Sequence, residues 1–145
     1  QRQMCIRDRF NKNQYLWRTF SPDQIDLNFK NPKVLIYFLK IIKFYIDNGV
    51  SVLRLDAVAF LWKKEGTNCI NLPETHSIIR LIRLIVENYS PNSIIITETN
   101  IPSHENLSYF GNNNEAHCIY KWVSDFSREN ELLKELQNHF HAAII

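Results

Sequence analysis

Apolar and polar positions recur along this chain with two different periods. Within residues 34–46 the apolar side chains return every three or four positions, which is the period of an amphipathic helix. Asn31 precedes this run and is a favoured N-cap, and Pro32 suits the first helical position. The polar residues 47–49 end in a glycine, which is typical of a helix terminus. The pattern therefore predicts a helix between these two signals.

Two shorter apolar runs, at residues 50–58 and 94–97, lack the helical period and are predicted to be strands. A second helix is predicted between them, from about Pro73 to Asn88, because its apolar residues again share one helical face. A short apolar segment at residues 118–123 is a possible third strand.

Long polar loops are predicted at residues 13–31 and 100–116, and a charged helix at about 127–139. Strands that alternate with helices indicate βαβ units and a parallel sheet. The loops that follow the strands are long, as in a barrel whose active face lies at the strand carboxyl ends. The predicted fold class is α/β, a partial (β/α)8 TIM barrel with parallel strands and alternating helices. A doubly wound sheet would give a similar pattern, and the strands are too few to close a barrel.

Composition narrows the function classes. The chain has 145 residues, 45% of them hydrophobic, and a formal net charge of +2, so neither wholesale disorder nor a nucleic acid partner is expected. The longest apolar stretch contains two lysines, and no membrane segment is predicted. Three cysteines form no metal-like pairing and fit free thiols in a reducing cytoplasm.

The chain divides into three predicted parts. Residues 1–9 lack strand or helix periodicity and resemble translated adapter sequence, so we expect a non-native terminus, or alternatively an ordinary disordered one. Residues 10–124 are predicted to belong to a catalytic (β/α)8 barrel. Residues 125–145 contain the charged helix, and its origin is left open.

Two carboxylates follow apolar stretches of the first two predicted strands. Asp56 closes the run Val52–Leu55, and Glu98 closes Ile94–Thr97. Barrel enzymes carry their chemistry at this end of the strands, and two carboxylates serve glycosidic-bond cleavage. Their separation of 42 positions along the sequence fits one strand-helix-strand unit, which places them on neighbouring strands about 4.8 Å apart. That spacing weakly favours a retaining reaction, whose carboxyl groups lie about 5–5.5 Å apart.

Local pattern predicts different states for the two carboxylates. Arg54 shares a strand face with Asp56 and would lower the pKa of that carboxyl, as a nucleophile requires. The alternative is an ion pair that only fixes strand register. Glu98 follows three isoleucines, and burial there would raise its pKa, as a proton donor requires. The alternative is a solvated glutamate at a strand end.

Other candidate side chains are less specific. The five histidines have no common metal-ligand spacing, so no metal site is predicted. Asp23 and Asp26 are either cation ligands or satisfied loop residues, with the second favoured. Four aromatic side chains could stack on a sugar ring or belong to the core: Tyr15, Trp17, Trp62 and Tyr109.

Five stretches together resemble the sucrose-phosphorylase branch of the α-amylase superfamily. Residues 17–29 resemble its loop before strand four, residues 54–57 its nucleophile motif and residues 96–100 its acid/base motif. Residues 63–69 and 104–111 are similar to loops of glucosylglycerate phosphorylases. The likeness extends from about residue 14 to residue 122.

The resemblance implies a retaining α-glucosyl phosphorylase, with Asp56 as nucleophile, Glu98 as acid/base and Arg54 in contact with the glucosyl unit. Its implied partners are inorganic phosphate and a sugar substrate, sucrose or glucosylglycerate, and the product is α-glucose 1-phosphate. No cofactor is implied. From the matched loops we expect further substrate contacts from Trp17, Gln24, Asp26 and His104.

The chain also departs from this family. A histidine motif and a third catalytic carboxylate of the family have no counterpart here, and the likeness ends after Trp122. We therefore expect an internal part of an enzyme that is inactive alone. The alternatives are an α-amylase-type hydrolase or transglucosidase, a non-catalytic barrel relative, or an unrelated α/β domain.

Overall fold

The structure, a computed structural model, describes residues 6–11, 14–120 and 142–144. Two strands form an antiparallel pair: β1 (Ile6–Asn11) and β2 (Gln14–Arg18). The prediction of no regular element in residues 1–9, and of a loop from residue 13, is wrong at these strands. Backbone pairing between adjacent strands satisfies N–H and C=O groups without a side-chain period, so the hydrophobic pattern gave no signal.

Two long helices follow as predicted. Helix α1 (Pro32–Asp47) starts where the Oδ1 atom of Asn31 accepts a hydrogen bond from the Lys33 backbone N–H at 3.0 Å. Gly49, just after its end, has a φ of +88°, a left-handed value that favours glycine. Helix α2 (Pro73–Tyr89) matches the second predicted helix to within one residue. Both helix predictions are confirmed.

A parallel sheet lies at the centre of the chain, in the order β5-β4-β3-β6. Its strands are β3 (Val52–Leu55), β4 (Ile94–Glu98), β5 (Cys118–Tyr120) and β6 (Ala142–Ile144). Strands β3 and β4 are neighbours, with Val52 opposite Ile94 and Leu55 opposite Thr97. Their carboxyl ends therefore meet at one edge of the sheet.

Strand β3 is shorter than the predicted run of residues 50–58. It ends at Leu55 because Ala57 has a φ of +49°, which turns the chain into a 3₁₀ helix at Val58–Phe60. This short helix is buried, so apolar character alone could not distinguish it from continued strand.

The core lies between the sheet and helix α2. Leu53 and Ile95, at the middle of β3 and β4, are fully buried in one cluster with Ile79 and Val86 of α2. Leu55, which shares the strand face of Leu53, belongs to the same cluster.

The connection after β4 is more ordered than the predicted loop of residues 100–116. It holds the short helix α3 (Ser103–Asn106) and a 3₁₀ helix at Leu107–Phe110. The third strand near residue 118 is confirmed as β5, whereas strand β6 was not predicted. The predicted helix at 127–139 lies outside the described residues. Within the described part of the chain, no helix meets the length and hydropathy needed to cross a bilayer.

Candidate active site

The two predicted catalytic carboxylates lie at the same edge of the sheet. Asp56 directly follows β3, and Glu98 is the last residue of the adjacent parallel strand β4. Their placement on neighbouring strands agrees with the sequence-based expectation. The physical cause is the single helix α2 between the strands, which returns the chain to the adjacent position in the sheet.

Arg54 joins these carboxylates. Its Nη2 atom lies 3.3 Å from Oδ1 of Asp56 and donates a shorter hydrogen bond to Oε2 of Glu98. The sequence pointed to Asp56 as the partner of Arg54, whereas the structure gives the guanidinium two partners and the closer one is Glu98. Because one nitrogen touches an oxygen of each carboxylate, these oxygens lie at most roughly 6 Å apart, about twice a hydrogen-bond length.

The carboxylates differ in exposure. The side chain of Asp56 is 53% exposed, whereas that of Glu98 is 3% exposed. The alternative of a solvated glutamate at the strand end is therefore wrong for Glu98. An open carboxylate beside a buried one supplies a group that an incoming ligand can reach and a second group shielded from water.

Tyr120 completes this edge from the third strand. It lies opposite Glu98 in the register between β4 and β5, and its ring centroid is 5.7 Å from Cζ of Arg54. The sequence analysis did not identify it. The available signal was its place at the end of the third strand, but a lone tyrosine in a short apolar run resembles a core residue.

Asp26 is engaged by a buried lysine. Lys63 Nζ lies 2.9 Å from Oδ2 of Asp26, and the Thr19 hydroxyl donates to the same oxygen at 2.5 Å. Lys63 also donates to the carbonyl oxygen of Phe60 at 2.6 Å. This cluster joins the loop before α1 to the segment after Asp56, which matches the satisfied-loop alternative. Among the described residues no group of three or more histidine, cysteine or acidic side chains is placed to hold a metal.

Trp17 is half-buried and lines an open groove of about 550 Å³ with Asp26, Lys30 and Lys63. Gln24 is exposed, and its backbone N–H donates to the carbonyl of Ser21. His104 is an exposed residue of α3. The contacts of Gln24 are local to its loop, and a substrate role for Trp17, Gln24, Asp26 and His104 stays a prediction.

Tyr109 is not available as a sugar platform. It is fully buried, and its ring stacks on His76 with the centroids 4.5 Å apart. Burial, reinforced by the nearby Glu115, raises the pKa of the Tyr109 hydroxyl. Glu115 itself is buried and lies 2.7 Å from both Nδ1 of His76 and Nη1 of Arg80. This cluster ties the connection after β4 to helix α2.

A parallel α/β sheet with two carboxylates at its carboxyl edge has the arrangement in which (β/α)8 barrels place their functional residues. The sequence matches the family described as alpha amylase, catalytic domain, over residues 8–141. The chain belongs to this family.

Individual relatives agree with that assignment. A glucosylglycerate phosphorylase of Spirochaeta thermophila is 50% identical over 74% of this chain and 18% of its own length. A trehalose synthase/amylase of Mycobacterium tuberculosis is 38% identical over 75% of this chain and 19% of its length. The chain thus spans about a fifth of the length of these curated relatives.

Solved structures agree on the fold. A variant of trehalulose synthase superposes with a TM-score of 0.67 at 21% identity, over 74% of this chain and 22% of that one. The predicted fold, a partial (β/α)8 barrel, is confirmed, and so is the resemblance to the α-amylase superfamily.

Proposed function

We propose that the chain is part of a retaining α-glucosyl phosphorylase. The full-length enzyme would act on sucrose or glucosylglycerate with inorganic phosphate and release α-glucose 1-phosphate. The observation that carries this proposal is the contact of Arg54 with both Asp56 and Glu98 at one sheet edge. The 50% identity to a glucosylglycerate phosphorylase supports the choice of phosphorolysis.

In the first step Asp56 is the nucleophile. One of its oxygens forms a bond to the anomeric carbon of the donor, while Glu98 gives its proton to the leaving-group oxygen. The glycosidic bond breaks, and the glucosyl unit remains on Asp56 as a β-linked ester. The 53% exposure of the Asp56 side chain fits a nucleophile that substrate must reach.

In the second step a phosphate oxygen attacks the same carbon. Its proton passes to the Glu98 carboxylate, the ester bond breaks and Asp56 returns as a carboxylate. Two inversions at one carbon retain the α configuration. The oxygen separation of at most roughly 6 Å is compatible with the about 5–5.5 Å between carboxyl groups in retaining enzymes.

The test uses the full-length protein that carries this chain. Purified enzyme is incubated with phosphate and either sucrose or glucosylglycerate, and the released sugar phosphate and its anomeric form are identified by NMR. We expect α-glucose 1-phosphate from at least one donor. β-Glucose 1-phosphate, or no sugar phosphate from either donor, would refute the proposal.

Two variants separate the catalytic roles. Glu98→Gln should lose sucrose or glucosylglycerate cleavage but still react with α-glucosyl fluoride, because fluoride departs with little help from a proton donor. Asp56→Asn should lose turnover with every donor. Asp47→Asn, at the far end of α1, is the matched control and should keep wild-type rates. Near-normal phosphorolysis in either active-site variant would remove the role assignment.

A transglucosidase or hydrolase is the second candidate. The 38% identity to a trehalose synthase/amylase favours it, since that relative shares the same region of the barrel. Incubation without phosphate discriminates between the two. A phosphorylase should then convert donor slowly, whereas rapid formation of glucose or of an isomeric disaccharide would support this second candidate.

We also propose that the enzyme works in the cytoplasm. Cys69 and Cys118 are free thiols among the described residues, and Cys118 is exposed. Exposed free thiols are characteristic of reducing compartments.

A further inference from the structure

The shared arginine creates a conflict with the proposed chemistry, on which this inference rests. A cation in contact with a carboxylate favours its ionised form. Asp56 must be ionised to attack, but Glu98 must carry a proton in the first step. Arg54 makes its closer contact with Glu98, the carboxylate that has to be protonated. The proposed reaction therefore requires the guanidinium to keep its contact with Asp56 while Glu98 holds a proton.

Tyr120 lies where such a restraint is needed. Its ring centroid is 5.7 Å from the guanidinium carbon of Arg54, within the range of a cation–π contact. Arg54 is 14% exposed, so water screens this attraction only weakly. Among the described residues, the titratable and charged groups placed next to Glu98 include Arg54 of β3, Asp56 directly after it and Tyr120 of β5. Helix α3, in the connection that follows Glu98, carries His104 and Glu105.

The backbone of Tyr120 is tied to the segment that follows Glu98. The Asn106 side chain donates to the carbonyl oxygen of Tyr120 at 3.5 Å, and the Thr99 hydroxyl donates to Oδ1 of Asn106 at 2.8 Å. Thr99 and Asn106 are both buried. The backbone of Tyr120, from which the ring extends, is therefore coupled to the end of β4, where Glu98 lies.

We propose that Tyr120 is a positioning residue whose ring holds the Arg54 guanidinium between the two carboxylates, so that Asp56 keeps its cation while Glu98 takes up a proton. The hydroxyl is not needed for this role, because the attraction comes from the ring face. Loss of the ring would let Arg54 settle on Glu98, hold that carboxyl ionised and leave Asp56 with a weaker partner.

The experiment compares Tyr120→Leu with Tyr120→Phe in the full-length protein. The readout is kcat/KM against pH, with sucrose or glucosylglycerate as a donor that needs a proton. The alkaline limb reports the acid form of Glu98. In Tyr120→Leu we expect this limb to move down by about one pH unit, whereas Tyr120→Phe should keep the wild-type limb. Tyr37→Leu, at an exposed position on α1, is the control for the same substitution.

α-Glucosyl fluoride isolates the effect on the proton donor. Because its cleavage needs little acid help, Tyr120→Leu should show no alkaline shift with this donor. Equal profiles for Tyr120→Leu and wild type with the proton-requiring donor would overturn the inference, and so would an equal shift in Tyr120→Phe.

Failure of the proposed function is recognised separately. If the wild type transfers glucose from α-glucosyl fluoride only to water, phosphorolysis is refuted. The profiles of kcat/KM against pH are then measured with a glucoside that the enzyme hydrolyses. If the wild type has no activity, crystal structures of wild type and Tyr120→Leu decide. The inference is supported if Arg54 loses its contact with Asp56 in Tyr120→Leu but keeps it in the wild type. It is overturned if Arg54 keeps its contacts with both carboxylates in Tyr120→Leu.

Discussion

The imidazole of His117 accepts a hydrogen bond from the backbone N–H of Ile95, with Nδ1 at 3.0 Å from the nitrogen. The backbone N–H of His117 in turn donates to the carbonyl oxygen of Ile95 at 2.9 Å. An Nδ1 atom that accepts a hydrogen bond must be unprotonated, so this contact requires a neutral ring with its proton on Nε2. The start of β5 is therefore joined to β4 by a pH-sensitive contact.

Acid should weaken the fold through His117. Burial, followed by the charge of Arg83, lowers the pKa of His117 below 6.5, and Glu87 opposes this in part. The unfolded chain then binds the proton first, so the free energy of unfolding should fall as the pH drops from about 6.5 to the lowered pKa. We expect His117→Asn to reduce this acid sensitivity, measured as Tm at pH 5.5 and 7.5. His104→Asn, at an exposed histidine, is the matched control variant. An equal reduction of acid sensitivity in both variants would contradict the assignment of this sensitivity to His117.

Arg54 and Glu98 should be energetically coupled. Arg54→Ala removes a cation that contacts the buried carboxylate of Glu98, and we expect a loss of about 3–5 kcal/mol in unfolding free energy. Glu98→Gln removes the charge that makes this loss large. The double variant Arg54→Ala/Glu98→Gln should therefore lose less unfolding free energy than the two single variants lose in sum. Denaturant unfolding of the four proteins gives the coupling energy, and strict additivity would show that the ion pair is not formed.

The turn after the proposed nucleophile should restrict Ala57. With φ at +49°, a β-branched side chain is more strained than alanine there, and we expect Ala57→Val to cost about 1–2 kcal/mol. Ala57→Gly should be tolerated, since glycine adopts this conformation freely. The same glycine change at the fully buried Ala59 is the control and should be destabilising. The stabilities are compared by thermal unfolding. A Tm of Ala57→Val equal to that of the wild type would contradict the predicted backbone strain.

Gly111 should be required for close packing as well as for its backbone. A Cβ atom there would lie 2.6 Å from Oδ1 of Asn114 and 3.0 Å from Cγ of Glu115, and φ is +54°. Gly66 also has a positive φ, but open space surrounds it. We therefore expect Gly111→Ala to be clearly more destabilising than Gly66→Ala, which should cost about 1 kcal/mol. Equal losses in Tm would show that the Asn114 and Glu115 side chains move aside freely.

Local signals were sufficient for the long elements. The helical period and the Asn31 cap predicted α1, and the apolar runs predicted β3 and β4. These signals are local because a helix or strand buries one face and ends at residues that satisfy its backbone. Strands β1 and β6 carried no such signal. β6 pairs with the distant strand β3, whereas β1 pairs with its neighbour β2 through backbone hydrogen bonds that need no side-chain period.

The sequence by itself determined which side chains close strands β3 and β4. Because one α-helix, α2, connects these strands, it also determined that Asp56 and Glu98 lie side by side. Only the tertiary structure decided how their charges are shared. Arg54 and Glu98 are 44 residues apart, and the short separation of their atoms depends on sheet register and on the burial of Glu98. Tyr120 enters from a third strand for the same reason, because a cation–π contact is set by the distance between folded segments and leaves no pattern in the sequence.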